Sequence, residues 1–190
     1  MKFIINIIGG PGIGKTTISC MVFSHLKIAR EKIEYVQEYA KNLVWKHDYE
    51  ALNNQYLLSK EQNQIFEEVA KSVDYIITDG PLLHGLYYNR YNKYNTSDLN
   101  KTETKIIEWY NNFINLNIYL VRNPEITYVK YGRTQTKEEA EEIDNNILNI
   151  LNEKKIKYHI VTLDLDYNKT TSDIINIFNE YKMNISNYIV

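Results

Sequence analysis

Residues 9–17 read Gly9-Gly10-Pro11-Gly12-Ile13-Gly14-Lys15-Thr16-Thr17, directly after the apolar run Phe3-Ile4-Ile5-Asn6-Ile7-Ile8. The spelling satisfies G-x-x-x-x-G-K-[ST], the pattern of a phosphate-binding loop, in the strand-then-helix setting that such a loop requires. A triphosphate needs several backbone N–H groups converging on its oxygens, and a glycine-rich turn lets the main chain come that close. Gly9, Gly12 and Gly14 are expected to supply the turn, with Gly10 and Ile13 completing the cradle. Lys15 is expected to reach the β- and γ-phosphates, the Thr16 hydroxyl to hold Mg²⁺, and Thr17 to open a helix whose free N–H groups also face the phosphates. The ligand this implies is an ATP- or GTP-type triphosphate.

The 190 residues suit one α/β domain spanning 1–190, with 44% hydrophobic residues to fill its core. Twenty-two basic residues against 24 acidic ones leave a formal charge of −2. A field that weak gives no reason to expect a long nucleic acid or an anionic membrane as partner. The first apolar run is too short for a signal peptide or a membrane span, and Cys20 is the only cysteine. Together these place the chain in the cytoplasm, with Cys20 expected as a buried, inert thiol on the first helix.

Short apolar runs alternate with longer helical patterns, the signature of βαβ units. Strands are expected at about 2–8, 33–37, 74–79, 116–121 and 157–163, with helices at about 14–29, 39–47, 52–71, 100–114, 136–153 and 170–182. The fold class is therefore α/β, a three-layer, doubly wound parallel sheet of about five strands with ligands at their carboxyl ends. The stretch Tyr87 to Asn100, rich in Tyr and Asn, reads as an irregular surface excursion.

Two carboxylates fall at strand ends. Tyr75-Ile76-Ile77-Thr78-Asp79-Gly80-Pro81 is a buried strand closing on an acid and a turn, where Asp79 can hold Mg²⁺ or accept a proton. Glu38 repeats the arrangement after Ile33-Glu34-Tyr35-Val36-Gln37 and suits a substrate hydroxyl. Lys41 lies on the same face of the following helix, able to neutralise an anionic substrate, with Tyr39 beside it. Gly80, not Glu, follows Asp79, so the water-activating acid of a mechanical ATPase is missing there. The guanine-reading N-K-x-D is absent too; Asn92-Lys93-Tyr94-Asn95 lacks the acid. Both absences favour phosphoryl transfer to a small acceptor.

After the strand Asn117 to Val121 come Arg122, Lys130, Gly132 and Arg133, then an acidic helix beginning Thr136-Lys137-Glu138-Glu139. Phosphoryl transfer demands positive charge on the transferring group and exclusion of water, which an arginine-bearing flap supplies by closing. The segment 122–140 reads as that lid, with Arg133 contacting ATP as its catalytic arginine and Arg122 and Lys130 behind it. Thr136 and Glu139 spell a capping box for the helix that follows. Tyr39, Trp45, Gln55, Tyr56 and Gln62 are candidates to stack on or hydrogen-bond a base, and His84, Tyr87, Tyr88 and Arg90 to wall the acceptor site.

These residues resemble the P-loop nucleoside and nucleotide kinases, most of all the group with ribosylnicotinamide kinase domains and small phage-type nucleotide kinases. The resemblance runs along nearly the whole chain: Gly9 to Thr17, Glu38-Tyr39-Ala40-Lys41, Asp79-Gly80-Pro81, and Gly132-Arg133 with its acidic helix. Lys41 stands where such kinases more often carry Arg, and Asp79-Gly80-Pro81 lacks the Asp-Arg-Ser triplet of deoxynucleoside kinases. The resemblance implies a kinase acting with ATP and Mg²⁺ on a nucleoside, nucleotide or related ribosyl compound. In it Lys15, Asp79, Glu38 and Arg133 are catalytic, Thr16 and Asp79 hold the metal, and Glu38, Tyr39, Lys41, Asp79 and Arg122 meet the acceptor. A polynucleotide 5′-kinase and a non-catalytic ATP-binding sensor remain open as alternatives, and helix faces do not fix an oligomeric state.

Overall fold

The period-two alternation of the first apolar run builds both cores of the protein. The computed structural model describes residues 2–129 and 135–186, and in it β1 (Phe3–Ile8) is buried along its whole length. A strand deals successive side chains to opposite faces. Phe3, Ile5 and Ile7 enter one core with Ile18, Val22 and Leu26 of α1 (Lys15–Ile28) and Ile174 and Phe178 of α8 (Tyr167–Ser186). Ile4 and Ile8 enter the other, with Phe66 of α4 (Gln55–Ala70) and Leu82, Leu83 and Leu86 of α5 (Leu82–Tyr91). Ile106 of α6 (Leu99–Asn111) and Ile143 and Ile147 of α7 (Lys137–Glu153) close that second layer.

Four further strands, β2 (Ile33–Val36), β3 (Tyr75–Thr78), β4 (Ile114–Val121) and β5 (His159–Thr162), pair in the order β2-β3-β1-β4-β5, all parallel. The chain winds to one side of β1 for β2 and β3, then to the other for β4 and β5. A crevice therefore opens at the carboxyl end of β1, where residues 9–14 lie. The short helices α2 (Ala40–Lys46) and α3 (Tyr49–Leu52) leave β2 on the same end of the sheet. Thr136 caps α7 in a full capping box with Glu139. Among the described residues no helix is long and apolar enough to cross a membrane.

Three expectations are corrected. The stretch from Tyr87 is not irregular: α5 runs through it to Tyr91, with Pro81 at its N-cap position and Leu82, Leu83, Leu86 and Asn89 on its buried face. The irregular part is 92–98, stitched by Thr96 N–H to the Asn53 carbonyl at 2.9 Å and by the Asn95 amide to the Asn89 carbonyl at 2.9 Å. Cys20 is exposed. The buried stripe of α1 is Ile18, Val22 and Leu26, and a residue two positions from Ile18 is rotated by about 200°, onto the opposite face. Finally, α1 opens at Lys15, two residues before Thr17, because Gly14 takes a left-handed φ of 90° at its N-cap.

A polar knot sits inside the second core. Asn6, 2% exposed, donates to Asn115 Oδ1 at 2.9 Å and to Asn117 Oδ1 at 3.0 Å. Asn117 in turn donates to Tyr110 Oη at 2.7 Å and to the Lys157 carbonyl at 2.8 Å, tying β1, α6 and the segment before β5 to β4. Buried polar groups left unpaired cost more than the bonds themselves contribute. Asn117→Ala is expected to lower stability by about 2–4 kcal/mol in chemical denaturation, since it strands an Asn6 N–H, the Tyr110 hydroxyl and a carbonyl together; a loss below about 0.5 kcal/mol would show the knot to be dispensable.

Candidate active site

The phosphate loop is shaped by glycine where the backbone demands it: Gly12 lies at φ 79° and Gly14 at φ 90°. Ile18 N–H, donating to the Gly14 carbonyl at 3.0 Å, makes the first bond of α1. The N–H groups of Lys15, Thr16 and Thr17 precede that bond and lie in the helix's unsatisfied first turn, where an anion binds. Burial holds the Lys15 ammonium below its ordinary pKa, against the opposing pull of Glu38, Asp79 and Asp144. Its Nζ donates to the Gly10 carbonyl at 2.8 Å.

The first half of the loop is held from outside. Gly9 N–H donates to His84 Nε2 at 3.3 Å. Burial first, then Lys15, drives the His84 pKa well down, in keeping with Nε2 acting as the acceptor. Gly10 N–H donates to Asp144 Oδ1 at 2.5 Å. Arg122 Nε pairs with the other oxygen of that carboxylate, and its Nη2 donates to the Pro11 carbonyl at 2.7 Å.

Asp79 is fully buried at the carboxyl end of β3, and three segments converge on it. Thr16 Oγ1 donates to Oδ2, Lys41 Nζ lies 2.5 Å from the same oxygen, and Glu38 N–H donates to Oδ1 at 3.1 Å. Burial alone would raise the carboxyl pKa, but hydrogen bonds from Lys41 and Thr16 and the Lys41 charge hold it below the usual range. Lys41 Nζ also donates to Thr16 Oγ1 at 2.9 Å. An ammonium thus stands between a hydroxyl and a carboxylate.

Glu38 shares this neighbourhood and shifts the opposite way. Its desolvation outweighs Lys15 and Lys41, and its carboxyl sits above the ordinary range. The turn that carries it is clamped on both sides: Tyr39 N–H donates to Gln62 Oε1 at 2.7 Å, and Gln62 Nε2 donates to the Gln37 carbonyl at 3.3 Å. Gly80 passes directly beneath, since a Cβ there would lie 2.4 Å from Glu38 Cα and 2.6 Å from its Cβ. The register explains the crossing. Val36 pairs with Thr78, so two residues on Glu38 meets Gly80.

The structure thus brings Lys15, Thr16, Glu38, Lys41 and Asp79 together and disperses other candidates. Arg122 is turned back onto Asp144 and Pro11. Gln62 has both ends of its amide on backbone, Gln55 donates to Ser59 at 3.1 Å, and Tyr56 packs on Trp109. Trp45 is 65% exposed. Arg90 bridges Glu103 and Glu153, joining α5, α6 and α7 away from the crevice. Tyr88 stays beside Glu38, its phenol held protonated by burial and by that carboxylate. Lys130 and Arg133 lie outside the described residues.

Two contributors went unread. Tyr35, on β2, lies near Asp79, and burial with that carboxylate keeps its phenol protonated. Asp144 had a legible sign: it interrupts the buried stripe Ala140, Ile143, Ile147, Ile150 of α7, where an acid has no reason to sit unless a partner awaits it.

Fold and site together define a P-loop protein with a five-stranded parallel α/β sheet. Residues 4–167 match the family model described as an AAA domain, and the chain belongs to that family. Solved structures share the fold, among them two kinases. Thymidylate kinase from Candida albicans superposes with a TM-score of 0.61 at 16% identity, over 95% of this chain and 92% of that one. Deoxyadenosine kinase from M. mycoides, solved with dCMP and dCDP, gives a TM-score of 0.62 at 22% identity, over 93% of this chain and 99% of that one. No curated protein matches in sequence.

Gly80→Ala is expected to displace the Glu38 backbone, because the atoms it meets are main chain and cannot swing aside. A misplacement of about 1 Å in a catalytic group costs about a hundredfold in rate. ATP consumption within about twofold of the wild type, at unchanged melting temperature, would show that Glu38 needs no such seat.

Proposed function

We propose that the chain is a kinase that transfers the γ-phosphoryl group of ATP to a hydroxyl of a nucleoside, nucleotide or related ribosyl compound. The observation that carries this reading is the seating of Glu38 on Asp79, with Lys15, Thr16 and Lys41 alongside. It supplies a proton acceptor for the nucleophile at the place where the phosphate loop ends.

Lys15 leaves the Gly10 carbonyl for the β- and γ-phosphates, and the free N–H groups at the start of α1 bind the same oxygens. The Thr16 hydroxyl and the Asp79 carboxylate are hard oxygen donors already bridged by a cation, the Lys41 ammonium, so the pair fits Mg²⁺. When bound there the metal neutralises phosphate charge. Lys41, bonded to both Thr16 and Asp79, would add positive charge beside the transferring group. The acceptor oxygen bonds to the γ-phosphorus and the bond to the β–γ bridging oxygen breaks. Its electron pair departs with ADP, while the hydroxyl proton passes to Glu38. Arg133, whose place in the sequence falls on the lid, completes the charge on the equatorial oxygens. Catalysis in this scheme is positioning and charge stabilisation.

The deciding experiment is an ATP-consumption screen over nucleosides, nucleoside monophosphates, nicotinamide riboside and a 5′-hydroxyl oligonucleotide. A phosphorylated small product is expected. Turnover on the oligonucleotide alone makes the chain a polynucleotide kinase, and tight ATP binding without any product makes it a sensor. With the acceptor in hand, kcat should fall as pH drops through the raised pKa of Glu38, while Asp79, shifted the other way, stays ionised over that range. Glu38→Gln should lose about 10²–10⁴ in kcat and the acid limb with it; a variant that keeps the limb would assign it to another group.

A further inference from the structure

One carboxylate near the phosphate loop has no part in the scheme above. Asp144 projects from the buried face of α7, crosses to the loop and accepts the Gly10 N–H at 2.5 Å. A Cβ on Gly10 would lie 2.5 Å from Asp144 Oδ1 and 2.9 Å from the Ala140 carbonyl, so residue 10 is glycine to admit this contact. The second oxygen of Asp144 takes Arg122 Nε, and Arg122 Nη2 continues to the Pro11 carbonyl at 2.7 Å and the Ala140 carbonyl at 3.5 Å. Both side chains are largely buried, at 17% and 13% exposure. Two successive residues of the loop are thereby gripped, one through its N–H and one through its C=O.

We propose that Asp144 and Arg122 form a positioning pair for the phosphate loop, in which Asp144 fixes the Gly10 peptide and Arg122 both fixes Pro11 and cancels the charge of that carboxylate. The proposal rests on the reading that the loop binds ATP. The chemistry makes cancellation necessary. Asp144 lies close enough to Lys15 to act on its charge, and a bare carboxylate so near a triphosphate repels it through a medium that screens poorly. An acid is nonetheless suited to the position, since only a group with two acceptor oxygens can take the Gly10 N–H on one and a guanidinium on the other. The pair is neutral as a unit and rigid as a brace.

That division of labour gives the test a sign that a merely structural role would not produce. Binding of the non-hydrolysable analogue AMP-PNP with Mg²⁺ is measured by titration calorimetry on the full chain, with thermal melting in parallel. Arg122→Gln, which leaves Asp144 bare, is expected to raise Kd about tenfold or more, and Asp144→Asn about threefold. Adding Asp144→Asn to Arg122→Gln removes the stranded charge and should bring Kd back below that of Arg122→Gln alone. A double variant that binds as weakly as Arg122→Gln, or more weakly, overturns the proposal, as does an Arg122→Gln protein of wild-type affinity. Where Arg122→Gln does not fold, Arg122→Lys decides: it keeps the charge and should stay within about threefold of wild type, and a tenfold loss there would overturn charge cancellation. Wild-type chain that fails to bind the analogue overturns the ATP reading and the pair together, whereas tight wild-type binding with any of the contrary results overturns the pair alone.

Discussion

A buried carboxylate at the end of β3 sets the terms for everything around it. Asp79 has no exposure to solvent, and an unpaired ion in such a place costs several kcal/mol. The protein answers with donors from three other segments: Thr16 from the start of α1, the Glu38 N–H from the turn after β2, and Lys41 from α2. Hydrogen bonds to a charged group contribute about 1.5–3 kcal/mol each, so the set offsets the burial and leaves the acid ionised. The consequence is geometric. Satisfying Asp79 forces the phosphate loop, the β2–α2 turn and the β3 end into one corner of the crevice.

Two carboxylates meet in that corner and come out with opposite tendencies. Asp79 accepts from named donors and is shifted down; Glu38, desolvated more than it is compensated, is shifted up. Environments that push neighbouring acids apart in pKa also separate their roles, one suited to standing as a fixed anion and the other to exchanging a proton. Lys41 belongs to both, bonded to Asp79 and acting on Glu38 through its charge.

How much of this was legible follows from what each feature depends on. The loop is written locally, in residues 9–17, and the strands announce themselves as apolar runs, because both signals lie within a few residues. The helix α5 did not, since its less buried positions are Tyr87, Tyr88, Arg90 and Tyr91, its buried face includes Asn89, and a glycine, Gly85, interrupts its leucines. Cys20 was misplaced by counting apolar neighbours along the sequence when the face of α1 is set by steps of three and four. The seat of Glu38 on Gly80 is invisible without the β2–β3 register, which is a property of two strands and not of either. Asp144 lies between: its partners are 134 residues away for Gly10 and 22 for Arg122, yet an acid within an apolar stripe marks the position as one that must find a partner.

The phosphate loop itself divides into two parts that the motif does not distinguish. In the first, Gly9 and Gly10 spend their N–H groups on His84 and Asp144, and Pro11 offers its carbonyl to Arg122. Those contacts come from α5, from α7 and from the residue after β4, so the loop's entry is fixed by three elements of the surrounding layers. In the second part, Gly12 and Gly14 turn the chain through left-handed conformations, and the N–H groups of residues 15–17 remain in the open first turn of α1. In the proposed reading the work of binding a triphosphate falls on the second part. A loop fixed at its entry by the fold presents those donors already aimed, and little of the binding free energy is lost to ordering it. Gly10 reads as a phosphate ligand in the motif and as a point of attachment in the structure, because the same absence of a Cβ that lets a backbone approach a phosphate lets it approach a carboxylate.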